Sequence, residues 1–85
     1  MQEYQGHRSW NAWNVSLYIN NDEPLYRAAV RAVESGKMFK GKARQVRKAV
    51  HHFFKDTGLH MQRTPDGAVY NQLCVKLALE DYFND

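Results

Sequence analysis

Several features are scarce in these 85 residues, and each absence excludes a class of protein. Cys74 is the single cysteine, so no internal disulfide can form. No run approaches the ~18 apolar residues that a membrane span needs, and the N-terminus lacks the apolar region of a secretory signal. With nine Asp and Glu residues, the chain is too poor in carboxylates to mimic DNA. We therefore expect a protein of the reducing cytoplasm with no membrane contact.

Signatures of catalysis and of metal binding are also missing. His51 and His52 are adjacent, whereas metal ligands on one helix need a spacing of three or four residues. Cys74 lies in an apolar segment, where a buried thiol is commoner than a nucleophile. No Gly-rich phosphate-binding motif occurs. We predict a non-enzymatic protein with no catalytic residues, no metal site and no cofactor.

The residues that are present predict one small domain, 1–85, with a thin core. Hydrophobic residues make up 44% of the chain, and aromatic residues, which fill small cores efficiently, make up 13%. The net charge is +3, which permits contact with nucleic acid or an acidic surface without requiring it. The polar residues 1–8 are predicted to form a flexible arm.

Turn and capping residues divide the chain into about four short helices, which predicts a mainly α, compact bundle. Suitable N-cap residues are Ser9, Asp22 and Asn71, and the glycines at 36 and 58 are suitable C-terminal ends of helices. The predicted helices cover residues 10–20, 24–35, 42–56 and 71–83. A short β-hairpin near residues 59–70 is left open, with "TPDG" as its turn. The alternative is that Thr64 caps the last helix directly.

The third helix carries two stripes roughly 120° apart. The apolar stripe has the spacing of a buried helix face and predicts a core contact; it comprises Ala43, Val46, Val50, Phe53 and Phe54. The basic stripe could bind phosphates or an acidic groove, or could be an ordinary solvated face. It comprises Lys40, Arg44, Arg47, Lys48, His51 and Lys55, with Lys42 and Arg63 as extensions.

Residues 10–20 fit a helix and a strand equally well by periodicity, and the Ser9 cap favours the helix. As a helix, the segment is apolar on two sides. A central position in the bundle would bury both sides; otherwise the side formed by Trp10, Trp13 and Leu17 stays partly exposed. With Tyr18 nearby, that side is the predicted surface for a protein partner, because Trp is the strongest hot-spot residue. The asparagines of the segment are expected at caps or on a wet surface, since burying an amide unpaired is costly.

Two blocks, "GHRSWNAWNVSLYINNDEPLYR" and "TPDGAVYN", resemble a family of short uncharacterised proteins of phages and other mobile elements. The blocks cover about a third of the chain and leave out the basic helix. The resemblance implies a small accessory gene acting in the cytoplasm of a bacterial host. It carries no residue roles, because that family has no established activity.

By analogy with other accessory proteins of mobile elements, the resemblance implies a protein that acts by binding a host protein or nucleoprotein complex. The leading expectation is an inhibitor of a host defence or nucleic-acid-processing complex, in the manner of anti-CRISPR proteins. The alternative is direct binding of DNA or RNA through the basic stripe. A homodimer is left open.

Overall fold

Four helices account for most of the residues that the computed structural model describes, which are 9–84. They are α1 (Trp10–Asn21), α2 (Glu23–Gly36), α3 (Lys42–Thr57) and α4 (Gln72–Phe83). The predicted mainly α fold is confirmed, and residues 10–20 form a helix. The predicted arm at 1–8 lies outside the described residues.

Helix ends follow the capping residues that the sequence offers. Oγ of Ser9 accepts a hydrogen bond from the backbone N–H of Ala12, and Asp22 and Asn71 cap α2 and α4 in the same way. Gly58 ends α3 in the left-handed conformation, with φ of 69°. Three of the four helix starts therefore rest on local side-chain chemistry; α3 begins after Gly41 without a side-chain cap.

The helices form a ring in chain order, with an additional contact across it between α2 and α4. α4 contacts each of the other three helices, α2 packs most extensively against α3, and α1 packs against α2 and α4. Within residues 9–84, α1 makes no contact with α3. α2 and α4 therefore occupy the middle of the bundle, and α1 and α3 cover opposite sides.

The core lies where the four helices meet. Its largest fully buried side chains are Phe53, Ile19, Leu79, Val15 and Val75. Small residues of α2 fill the space between these large side chains, since Ala28, Ala29 and Ala32 are also buried.

The predicted buried stripe of α3 is only partly right. Val46, Val50 and Phe53 are buried, but Ala43 is exposed and Phe54 is half-buried. The buried side is centred on Ala49 and Phe53, because α2 packs closely along it. Ala43 and Phe54 are consequently rotated away from the core, towards the open space between α3 and α4.

Gly36 allows the close approach of α2 and α3. A β-carbon at this position would collide with the backbone oxygen of Gln45 and would crowd Ala49 and Phe83. The sequence suggests only a helix end here, whereas the structure adds a packing reason for glycine.

Residues 61–70 form a hairpin with little regular strand. An isolated antiparallel bridge joins Arg63 and Val69. The backbone N–H of Thr64 donates to the oxygen of Ala68, and that of Gly67 donates to the oxygen of Thr64. "TPDG" is therefore the turn, and Asn71 rather than Thr64 caps α4.

Two asparagines of α1 hold this hairpin. The Asn11 amide donates to the backbone oxygen of Val69 at 2.9 Å and accepts from its N–H at 2.8 Å. The Asn14 amide donates to Asp66 at 2.9 Å and accepts from the Thr64 hydroxyl at 2.6 Å.

The expectation that the asparagines lie at caps or on a wet surface is wrong for Asn14, which is 1% exposed. The Asn14 side chain can be buried because both the nitrogen and the oxygen of its amide form hydrogen bonds. The two resembling blocks, "SWNAWNV" and "TPDGAVYN", thus meet through these hydrogen bonds.

Candidate functional site

An open groove runs between α3 and α4, which are antiparallel. Lys42 at the start of α3 lies over the Phe83 ring at the end of α4, and the Lys42 ammonium is 5.3 Å from the ring centroid. The groove has a volume of about 1150 Å³. Its lining residues are Lys42, Ala43, Val46, Arg47, Val50, His51, Phe54, Lys55, His60, Gln72, Leu73, Lys76 and Glu80.

Apolar side chains line the bottom of the groove. Val46, Val50 and Phe54 follow one another at four-residue spacing along α3, so they form a continuous row. Leu73 of α4 joins this row and is 51% exposed. The Phe54 ring packs edge-on against His60, with the two ring centroids 4.9 Å apart. An exposed leucine beside a row of apolar side chains is a feature of binding grooves.

The rim of the groove is mainly basic. Arg47, His51 and Lys55 also follow at four-residue spacing on α3, about 6 Å apart along the helix axis. Lys76 lies on the α4 side, with Glu80 as the one acidic lining residue. Among residues 9–84, none of Arg47, Lys55 and Lys76 forms an ion pair. The rim therefore carries a net positive charge, and its cations are not held in ion pairs by the described part of the chain.

The predicted basic stripe is divided between two surfaces. Arg47, His51 and Lys55 lie on the groove rim. Arg44 and Lys48 lie over the Phe39 ring on the neighbouring face of α3. These five residues belong to one helix but do not form one site.

Of the remaining basic residues of the prediction, Lys40 and Arg63 lie outside α3, whereas Lys42 lies at its start. Lys40 is exposed in the loop before α3. Arg63 lies on the hairpin, where its guanidinium donates to the backbone oxygen of Gly67 at 2.9 Å. Lys42, offered as an extension of the stripe, does line the groove.

The predicted protein-binding surface of α1 is partly exposed. Trp10 is 38% exposed, and Trp13 and Leu17 are half-buried. The other apolar side of α1, formed by Ala12, Val15 and Ile19, is in the core. The outer position of α1 explains the difference, because neighbouring helices cover only one side.

Tyr18 belongs to a different environment from the tryptophans. The pKa of Tyr18 is raised, mainly by partial burial. A hydrogen bond to Asp66 and the negative charge of that carboxylate raise it further. The pKa of Tyr70 is also raised, mainly by burial and to a smaller extent by the negative charge of Asp22. Tyr18 therefore takes part in the contact between α1 and the hairpin.

Sequence reasoning did not find the groove or its α4 side. Leu73 and Lys76 both lie within the predicted fourth helix, where Lys76 interrupts "LCVKLAL". That lysine was the available signal for an exposed side of α4. The groove itself depends on how far α3 and α4 separate, which no local pattern encodes.

Neither a metal cluster nor a membrane-spanning helix is found among residues 9–84. No group of three His, Cys, Asp or Glu residues within 9–84 could hold a metal ion. None of the four helices has both the length and the apolar character needed to cross a membrane.

Comparison with known proteins places the chain in a family without giving it an activity. No curated protein and no solved structure matches it significantly. A family match covers residues 1–85 and so runs through the basic third helix, which lies outside the two blocks quoted above. The chain therefore belongs to DUF7249, a family of unknown function.

Proposed function

We propose that this chain is a non-enzymatic binding protein whose α3–α4 groove holds an acidic, amphipathic helix of a partner protein. The observation that carries the proposal is a row of apolar side chains flanked by cations that have no ion-pair partner within residues 9–84. An amphipathic helix commonly docks its apolar side into such a groove.

The two sides of the groove support complementary contacts. Val50, Phe54 and Leu73 would bury the apolar side chains of the partner. Arg47 and Lys55 would meet its carboxylates, since opposite charges steer association and fix register. Acidic residues four apart on the partner would match the four-residue spacing of the rim.

The size of the groove fits a short helix. Its α3 side extends from Lys42 to Lys55, which corresponds to about 20 Å of helix. Its α4 side, from Gln72 to Glu80, is about 12 Å long. A partner helix of about three turns would fill it.

The resemblance to phage and mobile-element proteins supports a choice of partner. We infer that the partner is a component of a host defence or nucleic-acid-processing complex. This chain would inhibit the complex by binding an acidic helix of that component in its groove. The partly exposed Trp10 and Trp13 would provide a second contact with the same complex.

A designed peptide tests the groove without knowledge of the partner. The probe is a labelled helical peptide with leucines on one side and glutamates at four-residue spacing, and its binding is followed by fluorescence anisotropy. A peptide with lysine in place of glutamate controls for the apolar contacts, and a scrambled peptide controls for amphipathicity. Binding of the acidic peptide alone is the expected result.

Matched variants locate that binding. Leu73→Glu places a carboxylate in the groove and should abolish binding of the acidic peptide. Met61→Glu changes another exposed apolar residue, 58% exposed and outside the groove lining, and should bind as wild type does. Equal binding of the acidic and basic peptides, or an unaffected Leu73→Glu variant, would show that the groove is not the site.

The host partner is then sought with the same pair of variants. Proteins captured from a bacterial lysate by wild type and by Met61→Glu, but not by Leu73→Glu, are candidates. Inhibition of the identified complex by wild type and by Met61→Glu, but not by Leu73→Glu, would support the inhibitor role. A captured complex whose activity is unchanged would contradict it.

A further inference from the structure

Basic residues are concentrated in one stretch of the chain. Residues 35–55 hold seven of the twelve Lys and Arg residues and none of the nine Asp and Glu residues. Part of this charge lines the α3–α4 groove. Arg44 and Lys48 lie on the neighbouring face of α3, at the Phe39 ring. Lys37 and Lys40 lie in the segment between α2 and α3.

Two of these cations lie against one aromatic ring. The guanidinium carbon of Arg44 is 5.3 Å from the centroid of the Phe39 ring, and the Lys48 ammonium is 5.2 Å from it. Both distances are within the range of a cation–π contact. The ring thus fixes the positions of two positive charges on successive turns of α3.

The ring itself is fixed by the backbone around it. The N–H of Phe39 donates to the oxygen of Gly36 at 3.1 Å. The Gln45 amide donates to the oxygen of Phe39 at 2.8 Å. Phe39 is half-buried, and its ring lies beneath the Arg44 and Lys48 side chains.

The two cations have no carboxylate partner in the described part of the chain. Arg27, Arg31 and Lys37 each form an ion pair within residues 9–84, whereas Arg44 and Lys48 form none. Like charges four residues apart on a helix repel each other. An anion that contacts both would relieve this repulsion.

We propose that Arg44 and Lys48 contact the phosphates of a nucleic-acid strand. In contrast to the groove, this surface offers cations without an apolar row between them, which suits a repeating phosphate backbone better than an amphipathic protein segment. The cations cover the Phe39 ring, so the surface does not provide a platform for base stacking. The contact is therefore made to the backbone and is independent of base sequence.

The nucleic-acid surface is distinct from the groove and is tested separately. The probes are labelled single strands of DNA and RNA of mixed sequence, titrated with the protein over a range of salt concentrations. The Arg44→Gln/Lys48→Gln variant should lose at least tenfold in affinity at low salt. Its plot of log affinity against log salt should be shallower by about 1.4, since each phosphate contact on a single strand contributes about 0.7.

Charge-matched controls separate this site from general electrostatic attraction. Arg27→Gln/Arg63→Gln lowers the net charge by the same two units away from both Phe39 and the groove, and it should retain most of the affinity. Phe39→Leu keeps every charge but removes the ring, and its affinity should fall between those of wild type and the double variant. Circular dichroism would establish that each variant keeps its helices.

Several results would overturn the proposal. These are the absence of binding by wild type at low salt, an equal loss in the charge-matched control, or binding to anionic vesicles in place of nucleic acid. Leu73→Glu should bind nucleic acid normally, so failure of the groove proposal and failure of this one are distinguishable.

Discussion

Thr64 donates its hydroxyl hydrogen to the side-chain oxygen of Asn14 over 2.6 Å, and both residues are almost completely buried. The same hydroxyl accepts from the backbone N–H of Ala68 at 3.0 Å. The Asn14 amide also donates to Asp66. One buried asparagine thus joins α1 to the turn that precedes α4.

Replacing Asn14 by alanine should destabilise the protein by about 1–3 kcal/mol, because the Thr64 hydroxyl loses its buried acceptor. Urea unfolding measures the change in free energy. Asn21→Ala is the control, since Asn21 is exposed at the end of the same helix. If the two variants lose equal stability, the hydrogen bonds of Asn14 do not carry the effect.

Gly36→Ala should destabilise the protein although alanine favours a helix by about 1 kcal/mol over glycine. The added methyl group would collide with the Gln45 backbone oxygen, and overpacking of this kind costs about 1–3 kcal/mol. Thermal unfolding of Gly36→Ala and of Glu34→Ala, an exposed change in the same helix, provides the comparison. A higher melting temperature for Gly36→Ala would contradict the close approach of α2 and α3.

Tyr70→Phe should reduce the loss of stability at alkaline pH. Burial raises the folded-state pKa of Tyr70 above its unfolded value of about 10. Stability from this group is therefore complete below the unfolded pKa and is lost as the pH rises through the folded pKa.

Urea unfolding on either side of about pH 10 tests this expectation. Wild type should lose more stability across that interval than Tyr70→Phe. Tyr70→Leu should share the weaker pH dependence, although it loses core packing at every pH. Parallel curves for wild type and both variants would exclude Tyr70 as a source of the alkaline loss.

Trp10 should account for most of the tryptophan emission that a dissolved quencher can reach, because Trp13 is more deeply buried. Acrylamide quenching of Trp10→Phe, in which Trp13 is the remaining tryptophan, should be weaker than that of Trp13→Phe. The reverse order would place Trp13 on the outer surface of α1.

The helices could be predicted from sequence because their ends depend on neighbouring residues. Ser9, Asp22 and Asn71 each bond to a backbone N–H three residues ahead, so a short stretch contains both partners. Predicted and observed helices differ by one residue at most at each end. The tight turn at "TPDG" is local in the same sense.

Asn14 and the groove could not be predicted because they depend on distant partners. Asn14 forms hydrogen bonds with Thr64 and Asp66, which are 50 and 52 positions further along the chain. The residues near Asn14 in the sequence do not indicate these partners. Phe54 has a core-like spacing, yet it lines the groove because α4 does not cover it. Whether Arg44 and Arg47 share a surface likewise depends on Phe39, which lies in a loop.

The bonds from Asn11 and Asn14 join distant parts of the chain, and we expect them to form late in folding. Asn11 meets Val69 across 58 residues, so α1 obtains its polar partners only after most of the chain has been made. Contacts of such long sequence separation slow folding, because a large loop must close before they form. We expect α2 and α3 to associate first, and docking of α1 on the hairpin to be the late, slow step.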